Sequence, residues 1–390
     1  MDRTFSRHRS RRILYVVVMN RRIINFFSSG RWIFALLGVL TVGLLVKDVL
    51  IPLQNGGFTR IVGDGKHVSS YGFDLSGCRT PPGDIAPSGN PKDGLAALTH
   101  PALLRVRQVS QINKARRDVG GFIQNPDRVI GVVIHGQARA YPIPIMNWHA
   151  VVNDTLGGEP IAVTYDGFCD SVLVFSRRVA GQVLRFGYSG LVLDSNTLLY
   201  DQKPTVKQES LWSQITGRAM AGPAAARRYS LTPLPCQVMP WGQWKQIHPR
   251  TTMIAGITGL YSAYCKDPYG GYYASGGLPN FPVHPLWRNP RYGLKSRLIM
   301  VRVGRHWHPL AFRKLFSTAE TNGLARVRVA GRTLLFECWR GPQWRTAALL
   351  SPANIPVAYS LLFAWYAQHP RDFAGWGTVT KSRSQTSRLK

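Results

Sequence analysis

The chain has 390 residues, 45% hydrophobic and 17% charged, which excludes wholesale disorder and leaves room for two or three domains with real cores. Its 49 Lys and Arg against 19 Asp and Glu give a net charge of +30, which favours an anionic partner such as lipid head groups or an acidic envelope component. No zinc-finger spacing, basic-aromatic repeat or RNA-binding signature accompanies that charge, so no dedicated nucleic-acid module is expected.

The first 31 residues form a basic N-terminus with eight arginines and one aspartate. The apolar run "WIFALLGVLTVGLLV" follows, and "KDVLIP" extends it, so residues 32–52 read as a transmembrane anchor. Twenty helical residues span ~30 Å, one hydrocarbon core. Arg3, Arg7, Arg9, Arg11, Arg12, Arg21, Arg22 and Arg31 all precede it. The positive-inside rule therefore keeps the N-terminus in the cytoplasm and puts the body outside, at the inner membrane. No small-x-small cleavage site follows, which favours an uncleaved anchor, and either Met1 or Met19 serves as a start.

Residues 53–127 are a Gly-, Ser- and Pro-rich tether and lead-in. From residue 128 the pattern becomes β-rich, with short apolar runs around tight turns such as His135-Gly136. A first β-rich unit is expected over 128–252, an aromatic, Gly-rich connection over 253–296, a shorter second unit over 297–373 and a basic tail over 374–390. Cys78, Cys169, Cys236, Cys265 and Cys338 are widely spaced and odd in number, which argues against a disulfide scaffold.

Three stretches recur. "RVIGVVIHGQARAYP" (128–142) parallels "RLIMVRVGRHWHP" (297–309), "VAGQVLRF" (179–186) parallels "VAGRTLLF" (329–336), and "WGQWKQIHPR" (241–250) parallels "LFAWYAQHPR" (362–371). The expected fold class is α+β: a β-rich duplicated body with mainly antiparallel strands and short helices, preceded by one N-terminal transmembrane helix. The stretch carrying His149 and Cys169 has no counterpart in the second copy, which makes it the better candidate for function.

The chain resembles the DUF3179 family over about residues 71–373, on "GFDLSG", "PKDGLAALTHP", "VIGVVIHGQARAYPIPIMNWHAVVNDTLGGEPIAVTY", "LWSQITGRAMAGP", "DPYGGYYASGG" and the closing "HPR". The resemblance implies an exported, often membrane-anchored protein, and it implies no particular chemistry. Family members typically read Tyr-Cys-Pro-x-Cys where this chain has "YDGFC". Asp166 stands at the first cysteine position and Cys169 at the second, so a local dithiol couple cannot form here.

Three readings compete for this region. His149, Asp166 and Cys169 offer a nitrogen, an oxygen and a thiolate, a donor set suited to zinc or copper. Alternatively, Cys169 is a nucleophile with His149 as its base and Asp154 orienting that base, in an enzyme acting on envelope material. The plainest reading makes Asp166 a turn cap, Cys169 a small buried hydrophobe and His149 a satisfied helix-end residue. No G-x-S-x-G, His-Glu-x-x-His or phosphate loop is present.

Elsewhere, His306 and His308 alternate on one strand and so share a face. Tyr200, Asp201 and Trp212 read mainly as packing and turn residues. "DPYGGYYASGG" reads as a long aromatic connection. The leading expectation is a binding protein; a cationic interaction scaffold is a third possibility.

Overall fold

The computed structural model describes residues 62–117, 121–341, 344–374 and 376. The basic N-terminus, the anchor at 32–52, the two candidate start sites and the tail beyond 376 lie outside them. Among the described residues no helix is long and apolar enough to cross a membrane.

The body is β-rich, with mainly antiparallel strands and short helices; the helix Val106–Ala115, ten residues, is one of the longer ones. Its largest sheet has eight strands. Seven run in the order His306–Ala311, Arg297–Val303, Val357–Leu361, Ser171–Ser176, Glu159–Asp166, Val151–Leu156, Leu98–Thr99, and Pro233–Leu234 pairs off that path with Ser171–Ser176. The seam between strands from distant parts of the chain is the pairing of Tyr359 with Val172. Every residue of Ser171–Ser176 is buried, as a strand covered on both faces must be. At the periphery Leu324–Val329 alternates buried with exposed positions in its sequence LARVRV, so only one of its faces meets the core.

The stretch expected as a tether joins the body from residue 62 onward. Ile85–Pro87 adds an antiparallel strand to Phe186–Leu193, and Leu98–Thr99 adds a parallel one to Val151–Leu156. Tyr71 is fully buried between two glycines with positive φ, Gly63 and Gly190; a Cβ on either would lie 2.3 or 2.4 Å from its ring. Only glycine allows both the backbone turn and the close approach. These strands are two or three residues long, too short for alternation to reveal in a Gly- and Pro-rich segment.

The recurring stretches occupy matching positions. Arg128–Ile134 and Gln137–Pro142 form an antiparallel hairpin, followed by the helix Ile143–Met146. Arg297–Val303 and His306–Ala311 do the same, followed by Phe312–Thr318. In each case a later strand returns to the first strand of the hairpin and runs into a helix: Gln237–Pro240 into Trp241–Ile247, and Val357–Leu361 into Leu362–Gln368. Pro240 faces Arg128 in the one, and Leu361 faces Arg297 in the other. Both "VAG" turns reverse the chain through two residues at positive φ, Ala180-Gly181 and Ala330-Gly331. The Trp–His pairs also match, with ring centroids 4.2 Å apart for Trp244 and His248 and 4.3 Å for Trp365 and His369.

Candidate functional site

Asp166 and Ser171 are the facing ends of a β-hairpin, and the loop between them holds the expected chemistry. Asp166 organises that loop. Its Oδ1 accepts the amides of Phe168 (2.8 Å) and Cys169 (3.3 Å), while Oδ2 accepts the amide of Thr197 (2.6 Å) and Nδ2 of Asn196 (3.3 Å). Burial pushes its carboxyl above the ordinary range, against those donors. It is a turn cap with its lone pairs committed.

Cys169 is fully buried, and its thiol donates to the Ser195 carbonyl at 3.1 Å. Burial, and after it the charge of Asp166, pushes the thiol well above its usual range. A thiol that resists ionisation is a poor nucleophile and a poor metal ligand.

His149 lies just past the helix Ile143–Met146, also buried. Its Nδ1 is 2.7 Å from the Ala96 carbonyl and its Nε2 is 2.6 Å from the Tyr264 hydroxyl. The Ala96 carbonyl can only accept, so Nδ1 carries the ring proton of the neutral imidazole, and the Tyr264 hydroxyl, which accepts the Ile257 amide (2.9 Å), donates to Nε2. Both ring nitrogens are spent. Burial lowers the pKa of His149, keeping the ring neutral.

Asp154 is held by Arg139 (2.5 Å), the Tyr141 hydroxyl (2.8 Å) and the Thr155 amide (2.7 Å). The expected His149–Asp166–Cys169 metal set therefore does not come together. Among the described residues no three His, Cys, Asp or Glu side chains are grouped to hold an ion, His306 and His308 included. The expected Cys169–His149–Asp154 relay also lacks its contacts, because each member bonds to different neighbours.

The same loop does build a charged site, one residue further on. Asp170 sits at φ 42°, a left-handed conformation uncommon outside glycine and better tolerated by Asp than by most residues. This aims its carboxylate at two arginines. Arg128 binds it through both terminal nitrogens (3.1 and 2.9 Å), and Arg297 donates through Nε at 2.7 Å. The Tyr165 hydroxyl adds a contact at 3.2 Å. Burial alone would raise Asp170, but the Arg128 and Arg297 charges prevail and hold it down to about 2. Two cations thus share one anion.

Arg297 lines a cavity of about 520 Å³ together with Arg128, Tyr165 and Tyr273. Its terminal nitrogens have no hydrogen-bond partner among the described residues. Asn147 lines the same cavity; it is 8% exposed, and its Oδ1 is buried without a partner. Phe122, Tyr264 and Trp344 supply aromatic wall. The "DPYGGYYASGG" stretch closes one side instead of merely connecting. Its short helix Gly270–Ala274 sets the Tyr273 hydroxyl 3.2 Å from that of Tyr165 and against the Gly167 carbonyl. The Tyr269 and Tyr272 rings pack edge-on against Phe168.

Sequence reasoning passed over Asp170, Arg128, Arg297 and Asn147. One signal was present: Arg128 and Arg297 open the paired stretches "RVIGVVI" and "RLIMVRV" at the same position. Asn147 stood two residues from His149, and Asp170 one residue beyond Cys169.

Residues 92–351 match the family model described as "Protein of unknown function (DUF3179)". That is about two thirds of the sequence, and the chain belongs to this family. No curated protein and no solved structure matches it.

Proposed function

We propose that the chain is a membrane-anchored, extracytoplasmic binding protein whose ligand is a small organic acid. The ligand carries a carboxylate for Arg297, an N–H or O–H donor for Asn147 and an apolar body for the aromatic wall. One observation carries this reading: Arg297 spends only Nε on Asp170, and its terminal nitrogens, without a hydrogen-bond partner among the described residues, belong to a side chain that lines the cavity with Asn147, whose buried Oδ1 has no partner, and with Asp127, Lys266 and Asp267. A buried amide oxygen without a partner is costly, and a ligand donor would relieve that cost. A planar guanidinium edge suits a carboxylate.

The anchored placement is supported by the apolar run at 32–52 and the arginines before it. The matching order of elements supports a duplicated body, with the cavity drawing one arginine from each copy.

Thermal-shift and calorimetric titration of the full-length chain with hydroxy- and amino-carboxylates tests the reading. Losing one charge-assisted hydrogen bond costs about 1.5–3 kcal/mol, roughly ten- to a hundredfold in affinity, and Arg297→Gln should weaken binding by that much. Binding by Arg297→Gln and Asn147→Leu as tight as by the parent chain would refute it.

A further inference from the structure

A second cavity, of about 660 Å³, lies where the helix Leu362–Gln368 meets the strand His306–Ala311. Arg218, Arg302, Arg305 and Arg371 line it with His306 and His369, against Asp372 as the carboxylate among its lining residues. None of the four arginines makes an ion pair or side-chain hydrogen bond among the described residues. This contrasts with Arg128, Arg139, Arg177 and Arg297, which all spend guanidinium protons on protein acceptors. Arg218, Arg305 and Arg371 are exposed and Arg302 is half-buried, its guanidinium over the Trp307 ring at 5.8 Å; like charges around a concave surface concentrate positive potential there.

The cavity wall is built of packed rings, one of which holds a polar atom without a partner among the described residues. His369 stacks on Trp365 at an interplanar angle of 11°, and Trp307 meets Trp365 edge-on at 5.4 Å. Trp365 Nε1 fixes Asp372 by donating to Oδ2 at 3.0 Å, and His306 and His308 also act on that carboxylate electrostatically. His369 Nδ1 is buried with no partner. The first copy shares part of this charge, with Arg250 where the second has Arg371. Val133 stands where the second copy has Arg302, and Thr251 stands where it has Asp372. The cavity therefore draws Arg302, Arg305 and Arg371 from the second unit and Arg218 from the first.

We propose that this cavity is a second ligand site, for a phosphate-ester group, separate from the carboxylate cavity. A phosphate group, a dianion in a monoester and a monoanion in a diester head, accepts several guanidinium N–H groups at once and suits a cavity lined by four arginines without ion pairs among the described residues. The group's source is either a soluble phosphate ester or an anionic phospholipid head.

The test uses the full-length chain and three probes. These are pyrophosphate, vesicles of phosphatidylglycerol in phosphatidylcholine, and vesicles of phosphatidylcholine alone. Pyrophosphate or phosphatidylglycerol binding that falls about tenfold or more in Arg302→Gln and in Arg371→Gln, with a shallower salt dependence, supports the site. Arg297→Gln should leave it unchanged, which separates this result from failure of the carboxylate reading. Pyrophosphate binding lost in the two arginine variants assigns a soluble phosphate group, and phosphatidylglycerol binding above that to phosphatidylcholine alone, lost in the same variants, assigns the lipid head. Absence of both, or binding indifferent to both arginine variants, overturns the proposal.

Discussion

Arg128 and Arg297 occupy the same position in two matched hairpins and meet on one carboxylate, Asp170, at 2.9 and 2.7 Å. The arrangement ties the two halves of the body together electrostatically at the seam where Val172 pairs with Tyr359. It also leaves the terminal nitrogens of Arg297 without a hydrogen-bond partner among the described residues beside a cavity that Asp127, Lys266 and Asp267 line as well.

Replacing Asp170 with Asn should be among the most damaging single changes in the chain. It leaves two guanidiniums with side-chain exposures of 12% and 21% facing each other without a counter-ion. Breaking a buried ionic group in this way costs about 3–5 kcal/mol, read as a drop in chemical-denaturation midpoint. The cost should depend on pH in a set direction. The folded carboxyl lies at about 2, below its ordinary value of 3.8, so its contribution is full above about pH 4 and is lost as pH falls towards 2. The gap between parent and Asp170→Asn should therefore close on acidification; a gap that widens below pH 4 would contradict the assignment.

His369 should act in the opposite sense to a paired histidine. Burial, and then Arg218, push it from 6.5 down to about 3, so the fold holds it neutral while the unfolded chain protonates it. Its contribution is complete above about pH 6.5 and is lost as pH falls towards 3. His369→Asn should flatten the acid limb of the stability–pH curve over that window, measured by denaturant titration at successive pH values.

Thiol labelling should separate the cysteines by burial. Cys265 is exposed and should react with iodoacetamide in the native protein, whereas Cys169 and Cys236 should react only on unfolding. Mass spectrometry of peptides after a short native pulse reads this directly. Rapid labelling of Cys169 that slows in His149→Ala would revive the nucleophile reading.

Gly131→Ala tests the packing of the first hairpin. A Cβ there would fall 2.2 Å from the Trp244 ring, which is fully buried. Neither group can yield freely, so about 1–3 kcal/mol of destabilisation is expected from the denaturation midpoint. A neutral effect would mean that the Trp244 ring has room to move.

The first hairpin was legible in the sequence because apolar runs and turn residues act locally. "RVIGVVI-HG-QARAYP" contains its own partner strand and its own reversal. The sheet order was not legible. Nothing in residues 166–171 says that Val357–Leu361 will lie beside Ser171–Ser176 and bring Arg297 to Asp170; that follows from pairings between residues far apart in the chain. Choosing His149 and Cys169 for their chemistry missed what burial and local hydrogen bonds do to them. Asp166 looked like a ligand and serves as a cap because four donors reach it first. The arginines looked like part of a diffuse basic surface, yet two of them bond to one buried carboxylate.

Isothermal titration of the full-length chain and its Arg297→Gln variant with a panel of hydroxy- and amino-carboxylates tests the central claim most directly. At least one acid of that class should bind the parent and bind the variant roughly ten- to a hundredfold more weakly. Equal binding to both, or no binding to the parent by any acid in the panel, would contradict it.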